Sequence, residues 1–423
     1  MSGAPEAKRR LPFFYGWLMV GAAAVNGSFV LGSAQFSLSV FLVPMEEDLG
    51  WSRSTLFFAL ALRQLFGGLL GPLIGPLIDR ELAPRFIMPA GALMLGASLM
   101  AVRWVESPLW FLLTYGVMGS LAFAMLNSTM WESVVLKWFV RKRARAMVWT
   151  SFGTASASMI FPLLTTLLIF LFGWRDAWLW YGVITIVLLL PAGLTVRTRP
   201  ERMGLLPDGE VLSEPYADGE GTTATSASLE TSLTRADALH TSSFWLIGTA
   251  YMLTGFAITG FQSHWVPYFQ DIGFGAGIAA AAVSTYGASN VASRVFWAWA
   301  STRLSIHTLI VGQSLAAGLG VGFVLLVRDP VWLFAWAVYQ GFVLGSYNYL
   351  HGLMTAEYYG RMHIGAIRGL MLPSAAVARA GSAVALSMMR ELSGNYKLAF
   401  LSTWAVWLVV TTTVWFARKP RKD

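Results

Sequence analysis

The chain has 423 residues, 56% of them hydrophobic and 12% charged, and a mean hydropathy of +0.58. A soluble domain carries about 25% charged residues, so this composition excludes a water-soluble globule and points to a polytopic membrane protein. The pI near 9.8 would suit a nucleic-acid binder, but basic loops on one side of a membrane give the same balance, and no nucleic-acid partner is expected. There is no cysteine, which excludes disulfides and thiolate metal sites.

A membrane-spanning helix needs about 20 apolar residues. That rule predicts twelve spans, at 14–42, 54–78, 86–104, 108–134, 145–172, 176–196, 244–268, 276–300, 306–327, 331–355, 365–389 and 398–417. The basic start, MSGAPEAKRR, reads as a cytoplasmic tail, because the apolar run after it is too long for a signal peptide and lacks a clear cleavage site. Short polar breaks separate most spans, among them residues 45–53, 80–85, 140–145, 173–176 and 327–330. One long stretch, with SEPYADGEGTTATSASLETSLT at its middle, has little to bury and reads as a flexible linker. The predicted architecture is an all-α membrane protein of two six-helix bundles, 1–197 and 244–423, joined by a cytoplasmic linker at 198–243.

Lys and Arg fix the expected orientation. With the N-terminus inside, cytoplasmic segments hold 21 of them and the opposite side 6, with 3 more in spans. Both termini are therefore expected in the cytoplasm. The two halves also resemble each other. Arg63, Gly67, Gly71, Gly75, Asp79 and Arg80 follow one helix face in span 2. Arg294, Ala298, Thr302 and Arg303 do the same in span 8. Small residues four apart let helices approach closely.

These residues resemble the major facilitator superfamily. Gly75, Leu77, Asp79, Arg80 and Arg85 match its loop 2–3 signature, with Leu82-Ala83-Pro84 where a glycine is usual. Further pieces resemble the bacterial monocarboxylate and oxalate/formate branch. They are Tyr15-Gly16-Trp17, Gly50-Trp51-Ser52-Arg53-Ser54, the basic run Lys137 to Ala146, Gly173-Trp174-Arg175, Gly204 to Gly209, Phe244-Trp245 and His264 to Pro267. The resemblance implies alternating access about a midplane site, an inner (plasma) membrane location, and cytoplasmic gates at loops 2–3 and 8–9. Gly75, Asp79, Arg80, Arg85 and Arg303 are the gating candidates. Thr302 stands where the second gate would carry Asp, which implies a weaker latch there.

Charge inside the spans is scarce: three arginines, Arg63, Arg294 and Arg379, and one carboxylate, Glu132. A bare guanidinium near the bilayer centre costs at least about 2.5–3.5 kcal/mol, and such residues normally face a cavity, a partner or a ligand. Arg294 is read as a carboxylate anchor, because a guanidinium matches a carboxylate with two parallel hydrogen bonds. The alternative is a packing arginine bonded to backbone carbonyls. The resembled branch carries its substrate arginine at this place in span 8, and its proton-linked members have Asp one turn earlier, where this chain has Asn290. Arg379 matches a cavity lysine of the oxalate/formate exchangers. Two converging cations would favour a dicarboxylate, or a carboxylate with a second acceptor group.

Arg63 is read as an interface or outer-gate residue packed on span 11, by analogy with the same family. Gln35 stands where proton-linked carriers have a lysine. With Asn26 it is a cavity candidate, although such amides commonly make interhelical hydrogen bonds. Tyr115, Tyr251 and Gln340 are further cavity candidates. His264 and Glu132 are the candidates for carrying a proton. No Walker motif, metal spacing or nucleophile elbow is present, so no ATP coupling, no cofactor and no enzyme activity are expected.

The first hypothesis is a monomeric secondary transporter of small organic anions, mono- or dicarboxylates, working by exchange or uniport. Proton-coupled monocarboxylate symport is the second. A transporter-like ligand sensor would want a soluble signalling domain, and the loop at 197–243 is too short and too polar to be one.

Overall fold

The computed structural model describes residues 14–78, 83–126, 128–139, 142–198, 200–203, 205–206, 208, 235–359 and 364–419. Helix dominates, and no strand occurs among the described residues. The order is α1 (Gly16–Leu49), α2 (Arg53–Ile78), α3 (Ala83–Ala101), α4 (Pro108–Met125), α5 (Ser128–Trp138), α6 (Arg143–Leu194) and α7 (Arg235–Leu239). There follow α8 (Ser242–Ser263), α9 (Trp265–Asp271), α10 (Ala276–Ala300), α11 (Ile306–Val324), α12 (Pro330–Leu344), α13 (Tyr347–Tyr359), α14 (Ile364–Ser393) and α15 (Lys397–Phe416).

The predicted spans map onto these helices with five broken or merged. Span 4 is α4 plus α5, span 7 is α8 plus α9, and span 10 is α12 plus α13. Spans 5 and 6 share α6, which Gly173 breaks at φ +74°, a value open to glycine and strained for other residues. That break lies where the sequence has its polar 173–176 segment. The same start signal opens spans 4 and 10. Ser107 caps Pro108–Phe111 by accepting from the Trp110 N–H, and Asp329 caps Pro330–Leu344 by accepting from the Trp332 N–H, each followed by proline at the first helical position.

Seven helices among the described residues are long and apolar enough to cross a membrane by length and composition. α10 and α14 are not among them. Both are rich in Ala, Ser and Gly, and they carry Arg294 and Arg379. A helix that lines a polar path is less apolar than one that faces lipid on all sides.

Two π-helical turns shape the first half, Gly32–Phe36 in α1 and Leu112–Met118 in α4. A π turn leaves carbonyls without their usual helical donors. Tyr115 supplies one: its hydroxyl donates to the carbonyls of Ser33 and Ala34, at 2.9 and 3.1 Å. Arg63 is fully buried beside it, donating from Nη2 to Ser33 Oγ at 2.8 Å, with its guanidinium carbon 5.0 Å from the Tyr115 ring centroid. The ring of Phe123 on α4 lies over Gly67, one turn on. So the Arg63–Gly67 face packs on span 4 rather than on span 11. α2 also packs along α14.

The halves of the sequence meet most extensively along two helix pairs, α2 with α14 and α6 with α10. At the second, a Cβ on Gly287 would fall 2.6 Å from the Met159 backbone nitrogen, so only glycine permits the approach. One apolar core runs through both halves. A second, separate core of the first half holds Tyr15, Trp131, Trp138 and Val196, at the end where α1 starts and α6 finishes. That end is called the termini end below, and the other the far end.

Candidate functional site

Among the described residues, the hydrogen bonds and ion pairs that join the two halves run from mid-height to the far end. Arg53, at the start of α2, is the hub. Its Nε donates to Glu46 at 2.7 Å and its Nη1 and Nη2 grip both oxygens of Asp271 at 2.8 and 2.7 Å. Nη1 also donates to the Tyr396 hydroxyl at 2.9 Å. Burial pushes that hydroxyl up to about 12, so it stays neutral. Only 4% of the Arg53 side chain is exposed, and a desolvated guanidinium needs this full set of acceptors. Ser54 adds two bonds to Glu391, at 2.9 and 3.1 Å. His264 lies just beneath, fully buried, with its ring 4.4 Å from that of Phe57 across the interface.

A polar relay descends from this gate. Gln35, in the π turn of α1, donates to Gln262 Oε1 on α8 at 2.8 Å. Gln262 donates in turn to the Tyr286 hydroxyl on α10 at 2.8 Å, and Asn290 Nδ2 reaches the same hydroxyl at 3.5 Å. Arg294 follows Asn290 one turn further down. It is half-buried, and its Nε is buried with no hydrogen-bond partner. None of the ion pairs found among the described residues involves it.

Arg379 on α14 rests against Gly255 on α8, donates from Nε to its own helix at the Ala375 carbonyl (3.2 Å), and lies 5.9 Å from the Tyr251 ring centroid. Tyr251 is stacked on Tyr347, at 6.3 Å and 13°. The two arginines share a depth. Tyr286 to Arg294 is about 12 Å along α10, and Gln262 to Gly255 is about 10 Å along the antiparallel α8, at 1.5 Å per residue. Arg294, Arg379 and Tyr251 thus lie at a similar depth below the relay, which holds Gln35 and Asn290.

The other candidates lie elsewhere. Asn26 donates to the Leu126 carbonyl at 2.8 Å and so ties span 1 to the break in span 4. Tyr115 is sealed against the π turn. Gln340 is fully buried against Gly320 on α11, away from the relay. Glu132 is half-buried on α5, beside the separate core of the termini end. Arg85 and Arg303 are exposed, and Arg303 lies 5.9 Å from the Trp299 ring centroid. Gly75 lies in α2, while Asp79 and Arg80 fall outside the described residues. No cluster of three or more His, Asp or Glu that could hold a metal occurs among the described residues. Sequence reasoning singled out neither Tyr286 nor Gln262. An amide in one transmembrane helix and a phenol in the next are common enough that only their convergence marks them.

The family profile of the Major Facilitator Superfamily matches residues 24–385. The chain belongs to that superfamily. This facilitator is a multi-pass membrane transporter of a small molecule, related to monocarboxylate and oxalate:formate transporters, and not an enzyme. It is 22% identical over 301 residues to the oxalate:formate antiporter of Oxalobacter formigenes, covering 71% of this chain and 66% of that one. The chain thus spans just under two thirds of the antiporter's length. It is 22% identical over 403 residues to monocarboxylate transporter 12-B of Danio rerio, covering 91% and 83%. Among solved structures, a D-xylose–proton symporter superposes with a TM-score of 0.73 at 13% identity, over 96% of this chain and 99% of that one. An inward-facing, unoccupied bacterial homologue of the human lysosomal transporter Spinster gives 0.65 at 15% identity, over 98% and 95%. Those two likenesses speak to the fold.

Proposed function

We propose that this facilitator carries small organic anions, mono- or dicarboxylates, by alternating access, with Arg294 as carboxylate anchor and Arg379 as a second cation. The observation that carries the reading is Arg294 itself: half-buried, its Nε buried without an acceptor, and preceded one turn earlier by the neutral Asn290. A desolvated guanidinium lacks counter-charge until an anion supplies it. A carboxylate would do so through two parallel bonds. Gln35, Asn290 and Tyr251 would then complete the site's polar and aromatic surface.

Exchange or uniport suits these residues better than proton coupling. An acid beside Arg294 would compete with the substrate and carry a proton; an amide does neither. Two arginines left bare in an empty site would disfavour the rocking step, which enforces one-for-one exchange. With the termini in the cytoplasm, as the Lys and Arg distribution predicts, the Arg53 gate closes the outside and the site opens inward.

A second reading, proton-coupled symport, is favoured by one observation. His264 Nδ1 lies 2.8 Å from the Gly260 carbonyl, and Nε2 lies 2.9 Å from Ser387 Oγ, which is itself 2.9 Å from the Ala383 carbonyl. Ser387 can donate to a neutral imidazole, or accept from a charged one and donate to Ala383. These bonds accommodate either protonation state of the ring. Carboxylate uptake by proteoliposomes bearing Arg294→Ala tests the first reading, and its dependence on an imposed pH gradient tests the second.

A further inference from the structure

A cavity of about 600 Å³ opens at the far end of the second half, away from Arg294 and its relay. Its polar lining is cationic on balance: Arg328, Arg390 and Lys397 against one carboxylate, Asp271. Tyr268, Ile272, Leu325 and Leu401 give it an apolar wall. The volume is within the range of small-molecule sites. A concave surface with low-dielectric walls focuses the field of its charges, so the sign of the lining matters more here than on a flat face.

The three cations are only partly engaged. Arg390 reaches Asp271 at 3.3 Å and Glu46 at 3.9 Å, long distances beside the 2.7 Å bonds that Arg53 makes to the same two carboxylates. Its Nε is buried with no partner. Arg328 spends Nη1 on carbonyls just past the end of α11, Leu325 at 3.1 Å and Val327 at 2.8 Å. Lys397 opens α15 and is exposed. The gate therefore uses its carboxylates on Arg53 first, and leaves positive charge facing the cavity.

We infer that this vestibule binds a small organic carboxylate, its charge held by Arg390, Arg328 and Lys397 and its apolar part by Ile272 and Leu401. The bound anion competes with Glu46 and Asp271 for Arg390, so occupancy draws on the same ion pairs that close the far end. This is a second site, built by the second half alone, separate from the one around Arg294 and independent of it. An anionic lipid headgroup offers the same oxyanion chemistry, and the experiment separates the two sources.

The test is isothermal titration of the full-length protein in neutral detergent with oxalate and with benzoate. Four forms are compared: wild type, Arg294→Ala, Arg328→Ala with Lys397→Ala, and all three changes together. Monodispersity on size exclusion and an unchanged thermal unfolding midpoint confirm that each form is folded. The vestibule predicts that the Arg328/Lys397 pair removes one equivalent of bound carboxylate or weakens it about tenfold, the effect of one lost charge-assisted hydrogen bond. It predicts the same loss in the Arg294→Ala background. Unaltered stoichiometry and affinity on removing Arg328 and Lys397 would overturn it. So would binding of phosphatidylglycerol, but of neither free carboxylate, at these residues. Failure of the Arg294 reading looks different, because Arg294→Ala would then leave wild-type binding while the Arg328/Lys397 pair still removed one equivalent.

Discussion

Gln35 on α1 donates to Gln262 on α8 at 2.8 Å, and among the described residues this bond is the deepest of the polar links between the two halves. Everything above it belongs to the far-end gate, and Arg294 and Arg379 lie below. Gln262→Leu removes this link and the bond to Tyr286 together. The closed far end is then expected to lose about 1 kcal/mol, or about fivefold in population. The chain has no cysteine, so a single Phe57→Cys is a clean reporter beneath the gate. Its labelling by an impermeant maleimide is expected to quicken about fivefold with Gln262→Leu. An unchanged rate counts against a closing role.

Asp271→Asn is expected to act more strongly on the same reporter. Arg53 would keep Glu46 and Tyr396 but lose a two-point carboxylate grip, with its guanidinium still buried. Removing one partner of a buried pair costs about 3–5 kcal/mol. Asp271 is 29% exposed, so about 2 kcal/mol is the better figure here. That predicts labelling about thirtyfold faster. Equal effects of Asp271→Asn and Gln262→Leu would argue against Arg53 as the hub.

Tyr115→Phe separates a structural tyrosine from a substrate-binding one. It leaves the Ser33 and Ala34 carbonyls of the π turn without their phenolic donor. A destabilisation of about 1–3 kcal/mol is expected, read as a lower thermal midpoint by tryptophan fluorescence. The KM for carboxylate should stay at the wild-type value. A raised KM with an unaltered midpoint would return Tyr115 to the cavity.

The fold was legible because length and hydropathy alone mark the spans, and the polar 173–176 segment marked the Gly173 break. The candidate site was legible in part, because a guanidinium inside a membrane helix has few tolerable places. What the sequence could not convey is direction around a helix that is not regular. Arg63 shares four-residue spacing with its glycines, yet the π turn in α1 offers it Ser33, and it turns inward to span 4. Tyr115 and Gln340 are polar residues in spans just as Tyr251 is, and only packing distinguishes them. Gln262 and Tyr286 stand 24 positions apart, and their meeting over Arg294 is a property of the fold alone.

The exchange reading has its own pH signature. If the substrate anion moves alone, counterflow should be flat between about pH 5 and 8, where an ordinary histidine titrates. His264→Gln should then preserve that flat profile. Counterflow that falls as pH rises, and loses this dependence in His264→Gln, would favour the symport reading instead.

The central claim is that Arg294 holds the carboxylate. Its most direct test is counterflow of radiolabelled oxalate and lactate into preloaded proteoliposomes, with wild type, Arg294→Ala and Arg294→Lys compared at matched, monodisperse protein. Arg294→Ala should abolish counterflow. Arg294→Lys should retain a slow flux with KM raised about tenfold or more, since a lysine keeps the charge but not the two-pronged geometry. Wild-type counterflow from the Arg294→Ala protein would contradict the account.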